Sequence, residues 1–202
     1  MRSSAEPAAA WVGLAALLAV GACVASLVDP HRIDWEPALA WRELWRAWTA
    51  AFVHFSALHL GANLAGAAAV AAFGWMGRVP RRSVVAWAVV WPLTQLGLLV
   101  RPDLLHYGGL SGVLHAGVAV VAVFLAVRAR GPRRAIGWAT LVVLAAKVLA
   151  EAPWTAALRF PQGWDIAIAP AAHASGLLFG VLAGYAAELL AAARARARSG
   201  ET

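Results

Sequence analysis

Six apolar runs, each near the length needed to cross a bilayer, constrain this chain more than any other feature. They read as roughly Ala8–Val28, Ala57–Met76, Val84–Val100, Leu110–Val127, Ile136–Ala150 and Ile166–Ala191. A crossing needs about 20 mostly apolar residues, slightly fewer where flanking side chains reach for the surface. The third and fifth runs are short, and the last is long enough to pass beyond the bilayer into a basic tail. With 62% hydrophobic and 13% charged residues, the chain exceeds what one water-soluble core buries. The expected class is an all-α membrane protein, one domain over residues 1–202. A single cysteine, Cys23, excludes a disulfide framework and a cysteine-based zinc site.

Charge placement predicts the orientation. Arg2, Arg78, Arg81, Arg82, Arg128, Arg130, Arg133, Arg134, Arg194, Arg196 and Arg198 fall on one side, against Glu6, Glu188 and Glu201. The other side holds Arg32, Arg42, Arg46, Arg101 and Arg159, against Asp29, Asp34, Glu36, Glu43, Asp103, Glu151 and Asp165. Basic loops stay in the cytoplasm, so six crossings with both termini cytoplasmic satisfy the alternation. The net charge of +7 is therefore a topology signal and not a nucleic-acid footprint. Val20-Gly21-Ala22-Cys23 loosely imitates a lipoprotein signal. The apolar run continues to Val28, however, and cleavage there would leave five crossings. In the loop over residues 29–56, Trp35, Trp41, Trp45 and Trp48 are interspersed with Arg42, Glu43 and Arg46. That pattern suits an interfacial amphipathic helix with an anchoring role.

Hydrogen-bonding groups inside a span are costly unless paired, so each is a functional hypothesis. His59 and Asn63 are four residues apart and share a helical face. They follow either an interhelical polar pair or a pair of donors for a reacting group. Gly109-Leu-Ser111-Gly112 opens the fourth span, where Ser111 is either a helix cap or a nucleophile at the positive end of a helix. His173, Gly176, Gly180 and Gly184 lie along one stripe of the last span. A glycine stripe is a close-packing face between membrane helices, so His173 must lie against a neighbour. If that neighbour is the fourth span, the imidazole reaches Ser111. Nucleophile, base and oxyanion donors are then present for acyl transfer. No acidic residue within a span is placed to orient His173, so the expectation is a dyad and not a triad.

The run from Trp45-Arg46 through His54 to His59-Leu-Gly-Ala-Asn63, with Gly109-Leu-Ser111-Gly112 and His173-x-x-Gly176-x-x-x-Gly180, resembles the rhomboid family of intramembrane serine proteases in content and order. The resemblance implies a six-helix rhomboid-like bundle. It implies a Ser111–His173 dyad, with His59, Asn63 and the Ser111 amide around the oxyanion. Gly109, Gly112, Gly176 and Gly180 would support them. Substrates would be transmembrane proteins cut near the outer membrane face, with no metal and no cofactor. His115 stands where the family commonly carries a tyrosine that stacks on the catalytic histidine. An imidazole also stacks, but it can titrate, and packing alone would explain it equally.

Tyr107-Gly-Gly-Leu-Ser-Gly-Val-Leu-His115 and Lys147-Val-Leu-Ala-Glu151 are similar to the rhombosortase branch. That branch is associated with C-terminally anchored exported proteins carrying a Gly-Gly motif, in the bacterial inner membrane with the active site toward the periplasm. Lys147 and Glu151 read as a surface anchor without a catalytic role. Two other classes compete: an inactive rhomboid-like binder of membrane segments, and a small metal or solute transporter using His54, His59, His106, His115 and His173. The transporter reading lacks acidic partners within the spans and a helix broken at the midplane. A topology reporter fused after Thr202 is expected to read cytoplasmic; an exported signal would overturn the six-span arrangement.

Overall fold

A computed structural model describes residues 5–160, 162–163 and 165–200; Arg2 and Glu201 of the charge balance lie outside them. Helices are α1 (Ala5–Ala25), α2 (Arg46–Thr49), α3 (Ala57–Gly77), α4 (Arg81–Leu96), α5 (Ser111–Arg128), α6 (Pro132–Ala150) and α7 (Pro170–Gly200). Among the described residues the only extended pairings are two isolated bridges, Trp35 with Tyr107 and Arg159 with Ile168. Five helices are long and apolar enough to cross a membrane; α6, at 19 residues, is longer than α5 but carries Arg133, Arg134 and Lys147. The protein is a multi-pass membrane protein with the expected all-helical bundle.

Local signals explain most boundaries. Ser56 caps α3 by accepting from the His59 backbone N–H at 3.1 Å, and Arg78 ends it in the left-handed conformation. Proline in the first turn of α6, after Gly131 at φ 56°, suits a helix start, where the missing N–H has no partner to lose. The last helix begins at Pro170 and not at Ile166. Residues 166–169 stay outside it because Ile168 exchanges backbone hydrogen bonds with Arg159 at 2.8 and 2.9 Å.

Helix α5 is the axis of the bundle, packed most extensively against α7 and then against α6, α4 and α3. Between membrane helices the driving force is fit and hydrogen bonding, not exclusion of water. The fit relies on indoles set over glycines. Trp11 and Trp87 stack at 4.3 Å, with Gly74 beneath Trp11 and Gly117 beneath Trp87. Each indole N–H donates to a carbonyl of another helix, Val70 at 2.9 Å and Val113 at 2.8 Å. Leu17, Val20, Val85, Val89, Val142 and Leu182 remain exposed on the outer faces, as lipid contact requires.

The 29–56 connection departs from the expected interfacial helix. It folds as short 3-10 turns and the single-turn α2, organised by a buried arginine. Arg46 donates to the Asp34 carboxylate at 3.0 Å, the Asp34 carbonyl at 2.9 Å and the Glu43 carboxylate at 2.5 Å. It is buried within the loop, with its Nε and Nη1 engaged there, and is not turned outward as a phosphate-binding side chain would be. Trp35 is buried in the same assembly, while Trp41, Trp45 and Trp48 are exposed as an interfacial anchor would be.

Acidic, basic and histidine side chains of the long helices gather at two ends, with none between. At one end Glu188 of α7, almost fully buried, takes Arg82 of α4 at 2.7 and 3.0 Å and Arg128 of α5 at 2.6 Å. Removing one member of such a group leaves the others uncompensated. Glu188→Leu is expected to lower the unfolding free energy by about 3 kcal/mol, read as an earlier thermal transition in detergent micelles.

Candidate active site

At the opposite end, the sequence enters α5 through Gly108-Gly109. Gly109 has φ +135°, a region that side-chain-bearing residues rarely adopt. The loop is fixed from two sides: Tyr107 pairs with Trp35 through backbone bonds of 2.7 and 2.9 Å, and the Gly109 N–H donates to the Ala50 carbonyl at 3.0 Å. Burial pushes the Tyr107 phenol up to about 12, so it stays protonated and donates to the Gly109 carbonyl. The loop therefore delivers Ser111 as the first residue of α5, where backbone N–H groups have no helical partner.

The glycine stripe of α7 is a close-packing face, as its spacing predicts, and the helix packed on it is α5. A methyl group on Gly176 would strike the Gly112 carbonyl, and one on Gly180 would lie 2.7 Å from the Ala116 carbonyl. A methyl group on Gly112 would in turn lie 2.9 Å from the Ala172 carbonyl. With both backbones this close, His173 in the first turn of α7 reaches across the seam. Its Nε2 lies 2.9 Å from Ser111 Oγ. A serine hydroxyl at that separation can pass its proton to a neutral imidazole as it attacks a carbonyl carbon.

His59 and Asn63 occupy the first two turns of α3 and line the same cavity as Ser111 and His173. Asn63 is buried as a residue and lines the cavity, and among the described residues no side-chain hydrogen bond takes its amide, which is left to the cavity. His59 packs against Gly109 and lies edge-on to His54 at 4.7 Å. One ring nitrogen of each, Nδ1 of His59 and Nε2 of His54, is buried without a partner. Burial holds His54 below the usual imidazole range, so the ring contact is not a meeting of two cations. The cavity measures about 1350 Å³, and Phe73, Leu114, Val118, Val143 and Leu144 supply apolar wall.

His115 stacks on His173 with ring centroids 4.2 Å apart and planes 11° from parallel. Its Nδ1 lies 2.6 Å from the Ser111 carbonyl and its Nε2 lies 2.8 Å from Lys147 Nζ. Donation from Nδ1 to the carbonyl and from the ammonium to Nε2 uses both nitrogens of a neutral ring.

The largest departure from expectation concerns Lys147 and Glu151. They do form the expected pair, at 2.8 Å, but they turn inward at the site. Glu151 Oε2 lies 2.6 Å from His173 Nδ1, and Lys147 Nζ lies 3.0 Å from that same nitrogen. His173 thus has a carboxylate neighbour, and the expectation of none is corrected. Burial alone would raise the Glu151 carboxyl, just past the end of α6. The hydrogen bond from His173 and the Lys147 charge outweigh it and bring it down to about 2. The one sequence signal was an acid–base pair one turn apart at the end of an otherwise apolar helix.

A family model described as Rhomboid domain matches residues 41–188, which include every residue of this site. No curated protein matches the chain.

Overfilling a close seam costs about 1–3 kcal/mol and forces the backbones apart. Gly176→Val is expected to destabilise the bundle by that amount. It should also abolish fluorophosphonate labelling of Ser111 at temperatures where the variant remains folded by circular dichroism.

Proposed function

The chain belongs to the rhomboid family, a family of intramembrane proteases, and on that footing we propose that it is a serine endopeptidase that cuts transmembrane proteins. The observation that carries this reading is the 2.9 Å contact between Ser111 Oγ and His173 Nε2, made inside a cavity with an apolar wall. In the proposed cycle Ser111 Oγ attacks the scissile carbonyl carbon and its proton moves to His173 Nε2. The carbonyl oxygen becomes an oxyanion, met by the Ser111 N–H, the unpartnered Asn63 amide and His59. As the C–N bond breaks, Nε2 returns the proton to the leaving amine, giving an acyl-enzyme. A water molecule then attacks the acyl carbon, its proton passing through Nε2 to Ser111 as the new carboxyl end departs.

The specificity we propose is that of a rhombosortase, acting on exported proteins with a C-terminal anchor and a glycine-rich cleavage site. The Tyr107–His115 run supports that assignment. Glycine around a scissile bond lowers the cost of leaving helix for the extended form a protease grips. The location proposed is the bacterial inner membrane, with Glu188 and its arginines toward the cytoplasm and Ser111 toward the periplasm. The asymmetry of basic residues between alternate loops supports this orientation.

Cleavage of a tagged Gly-Gly-anchored substrate in membranes tests the proposal. Ser111→Ala and His173→Ala are each expected to reduce it by about 10⁴-fold or more while substrate capture persists. Undiminished cleavage by purified Ser111→Ala would overturn it, and capture without cleavage by the wild type would indicate a binder.

A further inference from the structure

The Ser111–His173 contact is productive in one tautomer only. Nε2 must be bare to receive the serine proton, so the ring hydrogen has to sit on Nδ1. Two groups compete for Nδ1 in this site and impose opposite answers. Glu151 Oε2, at 2.6 Å, accepts a hydrogen bond and requires hydrogen on Nδ1. Lys147 Nζ, at 3.0 Å, donates and requires Nδ1 to be bare, which would put the hydrogen on Nε2. The ammonium has other acceptors, Glu151 Oε1 at 2.8 Å and His115 Nε2 at 2.8 Å, so it can surrender Nδ1 to the carboxylate. Glu151 is tied to the last turn of α6, since its N–H donates to the Lys147 carbonyl at 3.2 Å and its own carbonyl accepts from Arg159 at 2.8 Å.

We propose that Glu151 is a positioning residue that fixes His173 in the proton-accepting tautomer, making a Ser111–His173–Glu151 triad in which Lys147 is an occupied competitor for Nδ1. The inference rests on the protease reading. In the step described above, the proton leaving Ser111 turns His173 into an imidazolium, and Glu151 faces that cation without taking its second proton. The carboxylate stays charged throughout, so the proton count of the cycle is unchanged. His115 lies over the ring and not in its plane; it contributes a stacking surface and leaves both edges of His173 to Ser111 and Glu151. Lys147 is bound on three sides, by His115, His173 and Glu151, so removing the carboxylate alone frees it to occupy Nδ1.

That competition gives the test its sign. Glu151→Gln, measured on the full chain in membranes, is expected to lower kcat by about 10²-fold or more with KM within about twofold. Labelling of Ser111 by a fluorophosphonate should slow in parallel. Adding Lys147→Met to Glu151→Gln removes the competitor and is expected to recover about tenfold of the lost labelling rate, an outcome that a merely structural role for Glu151 does not produce. Lys147→Met alone keeps the carboxylate and should stay within about tenfold of wild type. It gives a reading even where Glu151→Gln does not fold. The proposal is overturned if Glu151→Gln keeps kcat within about threefold of wild type, if the double variant labels no faster than Glu151→Gln, or if Lys147→Met is as inactive as Ser111→Ala. Labelling needs no natural substrate. A wild type that labels at Ser111 but cuts nothing would count against the protease reading while leaving the triad separately measurable.

Discussion

The approach of α5 to α7 is the interaction on which the rest of the structure depends. Two helices bring serine and histidine side chains to hydrogen-bonding distance only if little stands between their backbones. Gly112, Gly176, Gly180 and Gly184 remove what would stand there. In lipid no hydrophobic drive presses helices together, so the attraction comes from the contacts themselves. A seam of small residues is therefore both the source of cohesion and the ruler for the Ser111–His173 distance. Helices α3, α4 and α6 pack on α5 around it, with Asn63 and His59 brought in by α3, and Lys147 and Glu151 by the end of α6.

Polar side chains at the site survive in this setting because most satisfy one another. Glu151, Lys147, His115 and His173 form one connected set, and Arg46 gathers the loop beside it through Asp34 and Glu43. A half-satisfied network in a low-dielectric interior is worse than none. Among the described residues the buried side-chain atoms without a partner are Trp35 Nε1, His54 Nε2, His59 Nδ1 and Gln95 Nε2. Of these four residues His59 lines the cavity that contains Ser111, beside the unengaged amide of Asn63, so hydrogen-bonding capacity is left open where Ser111 lies.

What was legible in the sequence followed from periodicity. The all-helical class came from the length of apolar runs, although five helices and not the expected six are apolar and long enough to cross a membrane, and the close-packing face of α7 came from glycines at offsets that fall on one helical stripe. A stripe names the face that must be covered and not the helix that covers it, so His173 against Ser111 was conditional on spacing and was named by the family resemblance. Glu151 was not readable as an orienting group. It sits 22 residues before His173 on a different helix, and spacing within one helix says nothing about which neighbour its end will meet. The residue after it, Ala152, has φ 46°, a local irregularity that no apolar pattern foretells. Arg46 misled in the opposite way. Its tryptophan neighbours pointed to the membrane surface, whereas three carboxylates of the same loop, Asp34, Glu36 and Glu43, surround it.

The gathering of acidic, basic and histidine groups at two ends, with a belt between them that carries none, bears on the membrane as much as on the enzyme. The proposed hydrolysis needs water, and a cavity that admits water into a bilayer is a potential leak. Here the ionisable residues of the site stop at His115 on α5 and Lys147 on α6, and the next on those helices are Arg128 and Arg134 near their other ends. Among the described residues no series of acidic, basic or histidine side chains runs along these helices from one end to the other. The bundle can admit water to Ser111 from one side and still keep the belt between its ends without a charge to carry protons across the bilayer.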